Sequence, residues 1–377
     1  MTPPIASNQP LRPGSLLPSP PDPTRPLVSV VTPVHNGEPY LRQCIESVLA
    51  QTYDHWEYTI LDNCSADRSL EIAQSYAAQD DRIRVVSNAS FLTQVSNLNK
   101  ALGVISSASK YCKMVFADDW IFPHCLEEMV RVAEQHPSAA IVSSYRLDDR
   151  RVNCTGLPPD GSLFRGRDIC RATLVDGIFV FGSPNTLLYR SDIVRERRPF
   201  FNETSLHEDT EACYEILMEH DLGFVHQVLS FTRRQNESLT AARHLHDPHH
   251  LLDRLITALK YGHQCLDPEQ FDSRRRQVEK AYYRFLAVRT LNRANAAFWH
   301  YHRTALEAVG YEILSRKLAK QVVFAVLARI ANPWRVVHFG GSLNGATREE
   351  AMSHPCAGPA DDGALPALVT PLRGSDA

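Results

Sequence analysis

From Leu27 onward the apolar positions switch repeatedly between continuous runs and helical spacing. Leu27–Val31 reads as a strand, Leu41, Ile45, Val48 and Leu49 recur at the spacing of a helix, and Glu57–Leu61 reads as a second strand. Gly37 and Pro39 mark the helix entry, because proline suits a first helical turn. A helix from about Asp67, strand Ile83–Val86, helix Leu98–Ile105, strand Lys113–Phe116, helix Pro123–Gln135 and strand Ala139–Ser143 continue the alternation. Repeated strand and helix units of this kind predict an α/β fold with a mainly parallel sheet flanked by helices.

After about residue 145 the pattern is irregular until helix Glu208–Glu219 and strand Gly223–Phe231. Further on, Leu251, Leu252, Leu255, Ile256 and Leu259 share one helical face, as do Val278, Ala281, Tyr282, Phe285 and Leu286. The expected organisation is therefore an α/β domain over 27–244 and a C-terminal helical appendage over 245–344. Residues 1–26, rich in Pro, Ser and Asn, and 345–377, rich in Gly, Ala, Pro and Asp, read as disordered tails.

In such a sheet ligands bind beyond the carboxyl ends of the strands, so polar residues that follow strands come first. Three stretches qualify: Thr32-Pro33-Val34-His35-Asn36-Gly37, Asp62-Asn63-Cys64-Ser65-Ala66-Asp67 and Ala117-Asp118-Asp119-Trp120. The first strand is followed by no Gly-x-Gly-x-x-Gly, and no Gly-Lys-Ser/Thr loop occurs, so the glycine-built phosphate cradles are missing. Adjacent carboxylates offer another route, since Asp118 and Asp119 could hold Mg²⁺ or Mn²⁺ against a diphosphate. A solvated turn at a helix N-terminus is the plainer account of the same doublet.

Composition narrows the classes further. The 377 residues carry a formal net charge of −3, which gives no overall attraction to nucleic acid. The nine cysteines include no Cys-x-x-Cys pair, arguing for a reducing compartment and against a cysteine zinc site. No stretch reads as a secretory signal or a membrane span, so a cytoplasmic location is expected. Residues 316–330, apolar round much of a helix and flanked by basic residues, are a candidate for peripheral contact with the inner face of a membrane. A helix packed on the catalytic domain is the commoner outcome for such a segment.

The ordered motifs from Leu27 to about Thr240 resemble family 2 glycosyltransferases, which have the GT-A fold. The opening VSVVTPVHNGEPYLRQCIESVLAQTYDHWEYTILDNCSAD, the Asn97-Leu98-Asn99 element, FADDW with Pro123 beyond it, and Glu208-Asp209 carry the resemblance. It implies that Asp62 accepts a hydrogen bond from the nucleotide base, with Pro33 and Asn36 lining the same pocket. It implies that Asn97 and Asn99 shape that pocket and that Asp118 and Asp119 flank the diphosphate, with Asp119 the closer metal ligand. Asp209 would act as general base on an acceptor hydroxyl, tuned by Glu208. The implied partners are a nucleotide-sugar donor and a saccharide or lipid-linked saccharide acceptor.

Two departures stand out. Phe116 occupies a position that is acidic in many relatives, and Arg233-Arg234-Gln235-Asn236 replaces an Arg-x-His, leaving two arginines that could hold phosphate. A binding protein that kept the pocket but lost turnover, or a nucleotidyltransferase, is the alternative. Asp62 could also cap a helix, Asp209 could be an ordinary helix N-terminal acid, and His35 and His207 are assigned no role.

Overall fold

The computed structural model describes residues 25–205, 207–234, 250–331 and 369–372. Ten strands form one sheet: β1 Val28–Val34, β2 Trp56–Asp62, β3 Ile83–Ser87, β4 Tyr111–Met114, β5 Trp120–Ile121, β6 Ala139–Asp148, β7 Arg151–Asn153, β8 Leu163–Phe164, β9 Leu188–Arg190 and β10 Asp221–Thr232. Their order is β3-β2-β1-β4-β9-β6-β10-β5, with β7 beside β6 and β8 beside β10. The β3-β2-β1-β4 half is parallel throughout, connected by α1 Glu38–Leu49, α2 Ser69–Ala77 and α3 Gln94–Gly103.

Beyond β4 the sheet is mixed. Strand β9 enters antiparallel between β4 and β6, while β6 and β10 run parallel. Helices α4 Cys125–Gln135, α5 Gly166–Val175, α6 Ser191–Glu196 and α7 Glu208–Leu217 complete this part. The irregular stretch after residue 145 thus contains β7, β8, β9, α5 and α6. Several of these elements are two to six residues long, too short to display a hydrophobic period.

Every residue of β1 is buried, as expected for a parallel strand covered on both faces. A proline in so central a strand removes a ladder donor, and the structure supplies a substitute. Val115 N donates to Val31 O at 3.0 Å, so the next rung belongs to the nitrogen of Pro33, which has no hydrogen. Instead, Thr32 Oγ1 donates to Val115 O at 2.7 Å and also meets Tyr58 OH at 2.8 Å. The β1–β4 ladder ends there.

The C-terminal helices are α8 Leu251–Cys265, α9 Pro268–Leu291, α10 Ala296–Glu307 and α11 Ser315–Ala331. Tyr261 of α8 stacks on Tyr214 of α7 at 4.9 Å, and Leu252, Leu255, Tyr282, Leu286 and Leu306 belong to the same buried cluster as α5 and α7. The helical region therefore shares a core with the α/β domain. Within the segment expected to be a disordered tail, residues 369–372 are docked: Pro371 bridges Phe164, and Leu372 N donates to Leu163 O at 2.8 Å. The edge of β8 offers unpaired backbone groups that this short apolar piece satisfies. Residues 1–24, 245–249, 332–368 and 373–377 of the expected tails and appendage lie outside the described residues.

Candidate active site

The turns after β1 and β2 are built as one unit. Asn36 sits at φ 52°, a left-handed conformation that asparagine tolerates better than most residues. Its Oδ1 accepts from Ala66 N at 2.8 Å, and its own N donates to Ser65 Oγ at 3.0 Å. Gly37 N donates to Ser69 Oγ at 2.8 Å, and Glu38 N to Asp67 Oδ2 at 2.9 Å. Asp67 Oδ1 also accepts from Ser69 N at 3.0 Å. Ser69 and Asp67 thereby occupy donors that the start of α1 cannot use within the helix. Capping falls to them rather than to Asp62, whose buried carboxylate makes only long contacts of 3.3 and 3.4 Å with Ser65 N.

Asn97 and Asn99 lie on different faces of α3. Asn97 is buried, and its Oδ1 accepts from Asn88 Nδ2 at 3.0 Å. That same amide donates to Asn63 Oδ1 at 2.8 Å, while Asn63 also holds Leu92 N and Leu92 O. His35 Nδ1 meets Asn63 O at 2.9 Å, which gives this histidine a structural place beside the turn. Asn99 points the other way: its Nδ2 donates to Phe201 O at 2.9 Å, and its Oδ1 accepts from Phe201 N at 2.7 Å. It clamps the segment leading to α7 rather than the turns after β1 and β2.

The Asp118-Asp119 doublet follows β4 and is fixed by the far end of β10. Asp119 is 2% exposed; its Oδ1 accepts from Arg233 N at 2.9 Å and its Oδ2 from Thr232 Oγ1 at 3.1 Å. Burial, then the neighbouring Asp118 charge, pushes its carboxyl up to about 7. Asp118 is only partly buried. Strand β5 pairs antiparallel with β10, and Trp120 stacks on Phe231 with centroids 3.6 Å apart, so the doublet cannot swing freely.

The turn after β1 reaches this doublet directly. A Cβ on Gly37 would lie 2.7 Å from Val34 Cγ2, so the turn folds tightly over Val34, and it would reach ordinary contact with Ala117 Cβ at 3.4 Å. Cys44 of α1 feels the same proximity: its thiol is pushed up to about 12, mainly by burial, with further contributions from Asp119 and Asp118.

The two arginines after β10, which the sequence offered as candidates to hold phosphate, each make contacts within the protein. Arg233 Nε donates to Asp118 O at 3.2 Å and its Nη2 to Gln43 Oε1 at 3.1 Å, with the guanidinium 4.3 Å from the Tyr40 ring. Arg234 pairs with Asp148 at 2.7 Å, and Asp148 also pairs with the buried Arg146 at 2.5 Å. A carboxylate bridging two guanidiniums accounts for Arg234. Gln235 and Asn236 lie outside the described residues.

Glu208 and Asp209 open α7, Glu208 buried and Asp209 partly exposed with its Oδ1 accepting from Thr210 N at 2.7 Å. Asp209 lies close enough to Tyr189, on the strand beside β4, that its charge adds to burial and Cys213 in raising the Tyr189 hydroxyl well above its usual range. The helix is anchored from behind: Glu211 accepts from Asn202 Nδ2 at 3.0 Å and pairs with Lys260 of α8. Burial raises the Glu211 carboxyl, but the Asn202 and Lys260 contacts outweigh it and hold the group below its ordinary value. His207 Nε2 lies 3.7 Å from Asp253 Oδ1.

Among the described residues no group of three or more His, Cys, Asp and Glu side chains is arranged to hold a metal ion. Asp118 and Asp119 thus provide carboxylate oxygens from two residues only, a set that suits a hard cation sharing its remaining positions with a substrate.

An open α/β sheet with polar turns at the carboxyl ends of β1, β2 and β4, and a mixed half carrying a further acidic pair, is the GT-A type of fold. Residues 29–196 match the model of glycosyl transferase family 2. The S. aureus protein TarS, residues 1–349, solved in complex with UDP-GlcNAc, has the same fold, with TM-score 0.55 at 16% identity over 75% of this chain and 80% of that one. An uncharacterized glycosyltransferase of Haemophilus influenzae is 29% identical over 185 residues, 47% of this chain and 56% of its own length. The putative teichuronic acid biosynthesis glycosyltransferase TuaG of Bacillus subtilis is 34% identical over 127 residues, 33% of this chain and 48% of its own length. The matches thus span about half the length of these curated relatives.

Thr32 and Asn63 lie in the strand-end stretches singled out from the sequence but carried no assigned role, whereas Asn88 and Thr232 are not indicated by it. Asn88 follows β3 as Asn63 follows β2, so the strand-end rule applied to the third strand would have found it.

Proposed function

We propose that this protein is an inverting glycosyltransferase that moves a sugar from a nucleoside diphosphate donor to an acceptor hydroxyl in polysaccharide or glycoconjugate biosynthesis. The observation that carries the reading is a carboxylate doublet, Asp118-Asp119, held at the carboxyl end of β4 by Thr232 and Arg233, with the Gly37 turn closely approaching the adjacent Ala117. TarS, which shares the fold, was solved with UDP-GlcNAc and with UDP, and TuaG is named for teichuronic acid biosynthesis; both support a nucleotide-sugar donor and a saccharide product.

Asp62 faces the nucleobase, with Pro33, Asn36 and Asn97 shaping its surroundings. Asp118 is the carboxylate that would meet Mg²⁺ or Mn²⁺, because it is the more exposed of the pair, while Asp119 already serves Thr232 and Arg233 and keeps the loop in place. That order differs from the one the resemblance implies. The cation, when bound, supplies positive charge against the leaving diphosphate. Asp209 takes the proton of the acceptor hydroxyl as its oxygen bonds to the anomeric carbon and the bond from that carbon to the diphosphate oxygen breaks. Glu208, buried at the helix start, positions Asp209. The acceptor is a saccharide, free or lipid-linked.

The test is a panel of UDP- and GDP-sugars incubated with the full chain and Mn²⁺, with free nucleoside diphosphate measured over time. Slow hydrolysis of one donor, accelerated by a saccharide acceptor, is expected. Release of no nucleotide from any donor, together with no affinity for nucleoside diphosphates, would contradict the reading.

A further inference from the structure

Helix α11 is unlike every other helix longer than one turn in the described structure: none of its 17 residues is buried. Val323, Phe324, Val326, Leu327 and Ile330 are 57, 54, 37, 54 and 71% exposed. An apolar patch of this kind on a water-facing helix marks a contact surface. The same helix carries Arg316, Lys317, Lys320 and Arg329 and no acidic residue, on a chain whose net charge is −3.

Its inner flank is seated on α9. Lys317 pairs with Glu279 at 2.7 Å, Arg329 Nη2 donates to Asn292 Oδ1 at 3.1 Å, and Leu318 packs against the main core. Helical spacing then puts Arg316, Lys320, Val323, Leu327 and Ile330 along one outward stripe. The Asn292 contact brings the exposed Arg293 to the same end.

We propose that α11 docks the protein on an anionic bilayer surface, lying in its plane with the apolar side chains at the headgroup boundary and Arg316 and Lys320 against lipid phosphates. No described helix is long and apolar enough to cross a membrane, so contact is made along the helix surface. Charge selects the anionic lipid over a second copy of this helix, which carries cations and no carboxylate to pair with them. The inference stands on this surface alone and goes beyond the transfer reaction.

Flotation of the full chain with phosphatidylglycerol–phosphatidylcholine vesicles, and with phosphatidylcholine alone, tests it. The wild type floats with the anionic vesicles, less so as salt is raised, and stays in solution with neutral ones. Phe324→Glu with Leu327→Glu lowers partitioning at least about tenfold, and Arg316→Ala with Lys320→Ala about tenfold, with melting curves unchanged because these side chains are exposed. Equal behaviour of wild type and variants, no preference for anionic vesicles, or a dimer that the Glu variants convert to monomer without any lipid binding would overturn the proposal.

Discussion

The turns at the proposed donor side are joined across short stretches of chain: Asn36 to Ser65, Gly37 to Ser69 and Glu38 to Asp67 are 29 to 32 residues apart. The proposed acceptor side is assembled from much farther away. Asn99 holds Phe201 across 102 residues, and Lys260 holds Glu211 across 49. The donor turns need only β1, β2 and two helix starts, whereas the acceptor segment is ordered only when α3, α7 and α8 have all packed. The first arrangement preorganises a ligand pocket, and the second makes catalytic geometry depend on the whole domain. Damage on one side should therefore leave the other measurable.

The largest separation comes from Asp209→Asn. Loss of the base lowers sugar transfer by about 10² or more, while nucleoside diphosphate affinity is unchanged. Paired kinetics and calorimetry on one preparation check this, and a fall in both would break the distinction between the two sides.

Asn99→Ala comes next, because it strips both partners from the Phe201 backbone and leaves them inside a partly buried segment. A loss of about 1–3 kcal/mol of stability is expected. Denaturant unfolding measures it, and kcat should fall while the donor KM holds.

Asp62→Ala acts in the opposite sense, raising the donor KM about tenfold with little change in kcat, since a base contact serves ground and transition states alike. Steady-state kinetics over a donor titration decide it.

The smallest effect is a slope. Asp119 has its carboxyl pushed up to about 7 in the fold by burial and by Asp118. The folded value is above the unfolded one near 4, so the protonated form favours folding. This contribution is complete below about pH 4 and is lost as pH rises through about 7. Asp119→Asn should flatten the pH dependence of unfolding by less than about 1.4 kcal/mol per pH unit, as thermal melts from pH 4 to 8 would show.

The comparison also explains what was readable in the sequence. The strands and helices of the parallel half announce themselves because each is long enough to show a period, and the strand-end rule finds Asp62, Asp118 and Asp119. Side-chain duties follow no such rule. Asn97 and Asn99, two positions apart on one helix, serve different sides of the cleft, and only tertiary packing separates them. Arg233 and Arg234 look like phosphate ligands in sequence, yet Gln43, Tyr40 and Asp148, distant in the chain, engage them. Thr32 matters because Pro33 leaves Val115 O without its ladder donor, a deficit visible only once β1 and β4 are paired.

The central claim is that a nucleoside diphosphate binds where the Gly37 turn meets the Asp118-Asp119 doublet. Calorimetric titration of the full chain and of Asp118→Ala with UDP and GDP, in Mn²⁺ and in EDTA, tests it most directly. Micromolar-range binding of one nucleotide by the wild type in Mn²⁺, weakened about tenfold or more both by EDTA and by Asp118→Ala, is the predicted result. Equal affinities for wild type and variant, with and without EDTA, would contradict it.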